Sequence, residues 1–131
     1  MKITIDGSNA VLGRLASYAA REALRGDEVV VLNCEKIIIT GSKKDIEDDF
    51  KAKRGRVGTV QKGPKQPRTS DKIVKRVIRG MLPNHRFGRG RVAYSKIRCY
   101  TGVPKEFEGV KTIKVGQEKR NKFIHVKDIS K

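Results

Sequence analysis

The sequence predicts a single-domain α/β fold, on three observations. Apolar or alternating runs at 2–6, 29–32 and 37–40 have the length of strands. A helical stripe lies between the first two runs. Strand, helix and strand within about thirty residues form a βαβ unit, with a parallel pair and a right-handed crossover. Finally, 131 residues make one domain large enough for a core of its own.

Lys2-Ile3-Thr4-Ile5-Asp6 alternates in the manner of a strand. Gly7, Ser8 and Asn9 are turn and capping residues. Leu12, Leu15, Ala16, Ala19, Ala20, Ala23 and Leu24 recur at alternate spacings of three and one, which is one face of a helix that Gly26 ends. Val29 to Leu32 is an unbroken apolar run, expected of a strand covered on both faces, and Ile37 to Thr40 is a second. Gly41 and Ser42 close that run. Ser42 with Asp45 reads as a capping box for a helix over 43–53, with acids in its first half and Lys51 and Lys53 in its last turn, an order that suits the helix dipole. Residues 54–68 carry Gly55, Gly58, Gly63, Pro64 and Pro67 and only two apolar side chains, Val57 and Val60. The expectation is a basic loop, mobile alone and ordered on its ligand.

Thr69-Ser70-Asp71 starts the next helix. Ile73, Val74, Val77, Ile78 and Met81 form its apolar stripe, and Lys72, Lys75, Arg76 and Arg79 a cationic row on the other face. Gly80 and Pro83 bracket its end. Residues 84–91 read as a second flexible basic loop. A short helix follows at 92–95, a strand at 97–101 and a turn at 102–104. Beyond that, 110–115 alternates like an edge strand, 122–126 is a weaker strand, and Asp128 caps a terminal turn. The domain thus divides into a core of about 1–50 and 69–104, a basic loop over 51–68 and a C-terminal extension over 105–131, without internal repeats.

The charge is segregated. Of the net +17, residues 51–91 hold +13, from fourteen basic residues and one acid, Asp71; residues 1–50 hold −2 and residues 92–131 hold +6. A like-charged stretch repels itself and persists most readily where a polyanion neutralises it. Nucleic acid fits, since each neutralised phosphate releases a counterion. The candidate contacts are Lys51, Lys53, Arg54, Arg56, Lys62, Lys65, Arg68, Lys72, Lys75, Arg76, Arg79, Arg86, Arg89 and Arg91. Within 84–91, Gly88 and Gly90 let the backbone approach a ligand closely and the arginines fork onto phosphate oxygens. His85, among Arg and Gly, is a further candidate contact, to a phosphate or a base. Phe87 either stacks on a base or anchors the loop on the core.

Other classes lack their signatures. No run of about 18 apolar residues spans a membrane, and the first residues have no signal-peptide h-region. Cys34 and Cys99 form no CxxC pair and read as small buried thiols of a reducing compartment. His85 and His125 stand apart from each other and from any cysteine pair, so no metal site is expected, and His125 reads as structural. The turn after the first strand does not fit GxGxxG, and Gly41-Ser42-Lys43-Lys44 lacks the upstream glycine of a phosphate loop, although the amides at Ser42 could hold an RNA phosphate. Asp6 and Glu35 lie near strand ends, where α/β enzymes place chemistry, but capping and loop hydrogen bonds explain them more simply. No catalytic residue, cofactor or small-molecule substrate is expected.

Several stretches carry a specific resemblance. Ile5-Asp6-Gly7, Val11-Leu12-Gly13-Arg14-Leu15-Ala16-Ser17, Val29-Val30-Val31-Leu32-Asn33 and Ile39-Thr40-Gly41-Ser42 are followed by Arg79-Gly80-Met81-Leu82-Pro83, Arg89-Gly90 and then Tyr100, Gly102 and Pro104. Together they closely resemble the L-thirteen family of large-subunit ribosomal proteins, over residues 1 to about 104. Bacterial members typically follow the last glycine with a His-Pro pair; Val103-Pro104 and the short tail ending KFIHVKDISK resemble the archaeal or eukaryotic branch, nearer the archaeal in length. The resemblance implies a three-layer α/β/α domain around a four-stranded parallel sheet. It also implies a non-catalytic, cytoplasmic component of the large subunit that binds large-subunit rRNA beside neighbouring ribosomal proteins and takes part in assembly. The family's RNA-contacting regions fall on Arg14, Lys43, Lys44, Arg54, Arg56, Arg68, Lys72, Lys75, Arg79, His85, Arg86, Arg89 and Arg91.

Two other readings make different demands. An RNA-modifying or nucleotide-using enzyme requires a pocket near Asp6, Asn33 and Thr40. A DNA reader requires a recognition helix with base-reading Asn or Gln, which the sequence lacks. With 5% aromatic residues, a stacking platform for single strands is not expected either.

Overall fold

The computed structural model describes residues 1–56, 63, 65–115 and 122–130. Its elements run β1 (Lys2–Asp6), α1 (Leu12–Leu24), β2 (Glu28–Leu32), β3 (Ile38–Thr40), α2 (Lys43–Gly55), α3 (Ser70–Gly80), α4 (Gly88–Ser95), β4 (Ile97–Cys99), β5 (Ile113–Lys114), β6 (Phe123–His125) and α5 (Val126–Ile129). The main sheet is a single-domain α/β sheet of four parallel strands in the order β4-β2-β1-β5. That is the fold class the sequence predicts.

Strand β2 sits at its centre. Val29, Val30, Val31 and Leu32 are all buried, because the two faces of the strand alternate between two covered sides. Val29 and Val31 join Ile5 and Ile97 in the main core, with Leu15, Ala16 and Ala19 of α1 and Ile73, Val74 and Ile78 of α3. Alanines on the buried face of α1 leave room for α3 and α4 to pack against it. Val30 and Leu32 face the other way, onto Phe107 and Tyr100. The layer on that side is thin, built on the single-turn 3-10 helix Lys105–Phe107.

The end of β1 needs a glycine. The N–H of Gly7 donates to the Leu32 carbonyl at 2.9 Å. A Cβ at Gly7 would lie 2.8 Å from that carbonyl oxygen and 2.8 Å from Ile37 Cγ1. The chain can cross the top of β2 there only without a side chain.

Several expectations change at the level of elements. Ile37 to Thr40 is not a fully covered strand of the main sheet. Its strand, β3, pairs antiparallel with β6 in a separate two-stranded sheet, and Thr40 is exposed. Leu24 is exposed at the end of α1, whereas Glu22 is buried there, with Arg21 and Arg25 both donating to its Oε1. Met81 is exposed beyond the end of α3. Ser42 and Asp45 form no capping box: Ser42 is the N-cap of α2 but makes no side-chain hydrogen bond.

The largest change concerns 84–91. Gly88 to Arg91 are the first turn of α4 rather than part of a flexible loop. The cause is tertiary. A Cβ at Gly90 would lie 2.4 Å from the carbonyl oxygens of both Pro83 and Asn84, so the start of α4 is wedged against the α3–α4 connection. The close approach foreseen for a ligand is made by the chain's own backbone.

Parts of the C-terminal stretch pack onto the rest of the domain. Strand β5 pairs with β1 as an edge of the main sheet, and Ile124, Val126 and Ile129 enter the main core. The N–H of His125 donates to Asp128 Oδ2 at 3.2 Å, the foreseen terminal cap, and His125 Nδ1 lies 3.1 Å from the Lys36 carbonyl, a structural role.

Candidate nucleic-acid interface

Helix α3 is the organising element of the cationic surface. Ile73, Val74 and Ile78 fix one face in the core, so Lys72, Lys75, Arg76 and Arg79 must face outward. Asp71 stands four residues before Lys75, the spacing of a helical ion pair, but none forms. Lys75 Nζ instead lies 4.9 Å from the centre of the Tyr94 ring, a cation–π contact. Among the described residues, no cation from Lys65 to Arg91 is in an ion pair.

These side chains line a cleft of about 520 Å³ beside the carboxyl end of β4. Its lining holds six cations, namely Lys65, Lys72, Lys75, Arg76, Arg79 and Arg98, and one carboxylate, Asp71. Tyr94, Cys99 and Tyr100 supply the less polar wall. Sequence reasoning missed Arg98, Tyr94 and Tyr100. Arg98 lies on a three-residue strand, where the outward direction follows from alternation once β4 is recognised; the tyrosines carry no pattern of their own.

The expected contact residues fall into groups. Lys72, Lys75 and Arg79 converge on the cleft, with Lys65 at its rim. Arg76 lines it too, but its guanidinium donates to the Lys65 carbonyl at 2.8 Å, tying the segment before α3 to the helix. Arg86, Arg89 and Arg91 are exposed at and before the first turn of α4, and Arg68 is exposed just before α3. His85 is half-buried, its ring edge-on to Tyr94 at 6.1 Å. Phe87 is 67% exposed, so it does not anchor the loop on the core. Arg14, at the start of α1, and Lys43 and Lys44, at the start of α2, are exposed on separate elements, as are Lys51 and Arg56 on and just after α2. Lys62 lies outside the described residues.

Two members are committed elsewhere. Lys53 Nζ pairs with Asp49 at 3.0 Å along α2. Arg54 turns inward and donates to the Ile129 carbonyl, joining α2 to the C-terminal turn. Its guanidinium is a strut and not part of the open surface.

The strand-end acids take the structural role foreseen for them. Asp6 Oδ1 accepts from Asn33 Nδ2 and from the Ser8 N–H, both at 3.0 Å. Burial alone would raise this carboxyl, but the hydrogen bonds from Asn33 and Ser8 outweigh it and hold Asp6 below its ordinary value. Glu35 Oε2 accepts from the Gly102 N–H at 2.9 Å and ties the turn after β4 to the turn after β2. Cys34 and Cys99 are free thiols brought together from opposite halves of the chain. The neighbouring Cys99 thiol, followed by burial, pushes Cys34 far above the usual thiol range, and its thiol donates to the Val31 carbonyl at 3.7 Å, so it stays protonated. Among the described residues no cluster of histidine, cysteine and carboxylate is suited to a metal, and no helix is long and apolar enough to cross a membrane.

The family model described as ribosomal protein L13 matches residues 1–106. The large ribosomal subunit protein uL13 of Thermoplasma volcanium is 42% identical over 126 residues, covering 96% of this chain and 90% of the relative. That of Archaeoglobus fulgidus is 39% identical over 133 residues, with 97% and 84% covered. That of Methanosphaera stadtmanae is 42% identical over 120 residues, with 89% and 84% covered.

Proposed function

The chain belongs to the ribosomal protein L13 family, a family of structural components of the ribosome rather than enzymes, and we propose that it holds large-subunit rRNA through the cationic face centred on α3. In this reading the α/β core is a rigid mount. Lys72, Lys75 and Arg79 neutralise phosphates of one RNA segment, and Arg86, Arg89 and Arg91 those of an adjoining one. Arg14, Lys43 and Lys44 extend the contact across the starts of α1 and α2, and Lys51, Arg56, Lys62, Lys65 and Arg68 add further phosphate contacts. The protein works within the cytoplasmic large ribosomal subunit, packs RNA helices together during assembly and lies against neighbouring ribosomal proteins.

One observation carries the reading: a helix face with four outward cations and no ion pair among the described residues. A merely solvated surface mixes both signs. Here the repulsion is left for an external polyanion to relieve. Phosphate contacts of this kind set position and affinity without reading bases.

Charge reversal tests it. Lys72→Glu with Arg79→Glu, on the full chain, is expected to weaken binding to a large-subunit rRNA fragment by tenfold or more at moderate salt. Circular dichroism and the urea midpoint are expected to stay native. Unchanged affinity would overturn the assignment of this face.

A further inference from the structure

We propose that the cleft between α3 and the end of β4 receives a single nucleotide extruded from an RNA strand, its base against Tyr94 and its phosphate on Lys72 and Arg79. The inference rests on the RNA-binding reading and adds a defined ligand to it. A phosphate-binding surface needs no concavity, yet this site is an open cleft of about 520 Å³, within the usual volume range for small-ligand sites. Nor does phosphate neutralisation need aromatic rings, and two of the chain's three tyrosines line this cleft.

The two rings are prepared differently. Tyr100 is fixed from behind, its ring against Phe107 at 5.5 Å, while its backbone N–H donates to the Val31 carbonyl and its carbonyl accepts from the Cys34 N–H. It forms a rigid wall. Tyr94 lies on α4, and the Lys75 ammonium rests over its ring at 4.9 Å. An incoming base takes that face, and the ammonium then turns to the nucleotide's phosphate. Lys72, Arg79 and Arg98 surround the same opening, so phosphate and base are met within one site. A nucleotide still stacked in a helix cannot enter; a bulged or flipped one can, and unstacked bases are what proteins reach in RNA. One such site is compatible with the low aromatic content, which argues only against an extended platform.

Two hairpin RNAs of equal length and charge test this with the full chain, one fully paired and one carrying a single bulged 2-aminopurine. The bulged hairpin is expected to bind about tenfold more tightly, within what stacking of one base supplies, and its fluorescence is expected to be quenched on binding. Tyr94→Leu is expected to remove the quenching and the preference, so that the two hairpins bind alike; Tyr94→Phe is expected to keep both. Free adenosine monophosphate, as competitor, is expected to displace the bulged hairpin only at far higher concentration. Equal affinity for the two hairpins, no quenching, or adenosine monophosphate binding as tightly as the bulged RNA would each overturn the extruded-nucleotide site. Binding of neither hairpin would instead overturn the RNA reading beneath it. Should Tyr94→Leu fail to fold, the wild-type preference and quenching still decide.

Discussion

Gly90 has no room for a side chain. With the Pro83 and Asn84 carbonyl oxygens 2.4 Å from where its Cβ would stand, Gly90→Ala is expected to cost about 1–3 kcal/mol, the range for overpacking. The reading is a lower urea midpoint at unchanged slope. Asp6 gives a second residue-scale test. Its carboxyl titrates below its ordinary value of 3.8, so the charged form stabilises the fold. That contribution is fully present above the unfolded value and is lost as pH falls through the lower folded one. Asp6→Ala is therefore expected to lose about 1–3 kcal/mol at neutral pH, with the gap to wild type narrowing below about pH 4. A gap constant from pH 7 to pH 2 would show that the charge is irrelevant. The bond from the Ser8 N–H is the local loop hydrogen bonding foreseen for Asp6, but its partner Asn33 was not legible in the sequence. Asn33 reaches it only because β1 and β2 lie side by side, with Asp6 opposite Leu32.

At the scale of elements, legibility followed the strength of the hydrophobic signal. The run Val29–Leu32 and the stripe of α1 were plain because burial on two faces or one leaves a period in the sequence. The start of α4 was not. Gly88-Arg89-Gly90-Arg91 has neither propensity nor period for a helix, and only wedging against residues 83–84 holds it there. Strands β3 and β6 were read as runs, but their pairing joins segments far apart in the chain. Arg54 was read by its charge alone, because nothing local shows that its guanidinium meets the Ile129 carbonyl. Arg54→Leu is expected to lower stability by about 1–3 kcal/mol, since it strips a partner from a part-buried carbonyl. It is expected to leave the salt dependence of RNA binding as in wild type, whereas Arg79→Leu is expected to do the reverse. If Arg54→Leu instead shallows the salt slope with stability intact, Arg54 belongs to the interface.

Over the whole molecule, residues 1–50 hold −2 and residues 51–91 hold +13, and the proposed RNA face draws chiefly on the second segment. The sequence made that division visible, because charge can be counted without knowing the fold. It did not show the cleft, whose walls come from α3, α4, β4 and the segment before α3, elements that meet only in the folded chain. We propose that this face binds by neutralising phosphates, and a salt titration of binding to a large-subunit rRNA fragment decides it. The logarithm of the association constant is expected to fall linearly with the logarithm of salt, by about 0.7–0.9 for each phosphate neutralised. Removing Lys72 and Arg79 together is expected to shallow that slope by nearly two such steps. An affinity that barely changes between low and moderate salt, or a slope untouched by the double variant, would contradict it.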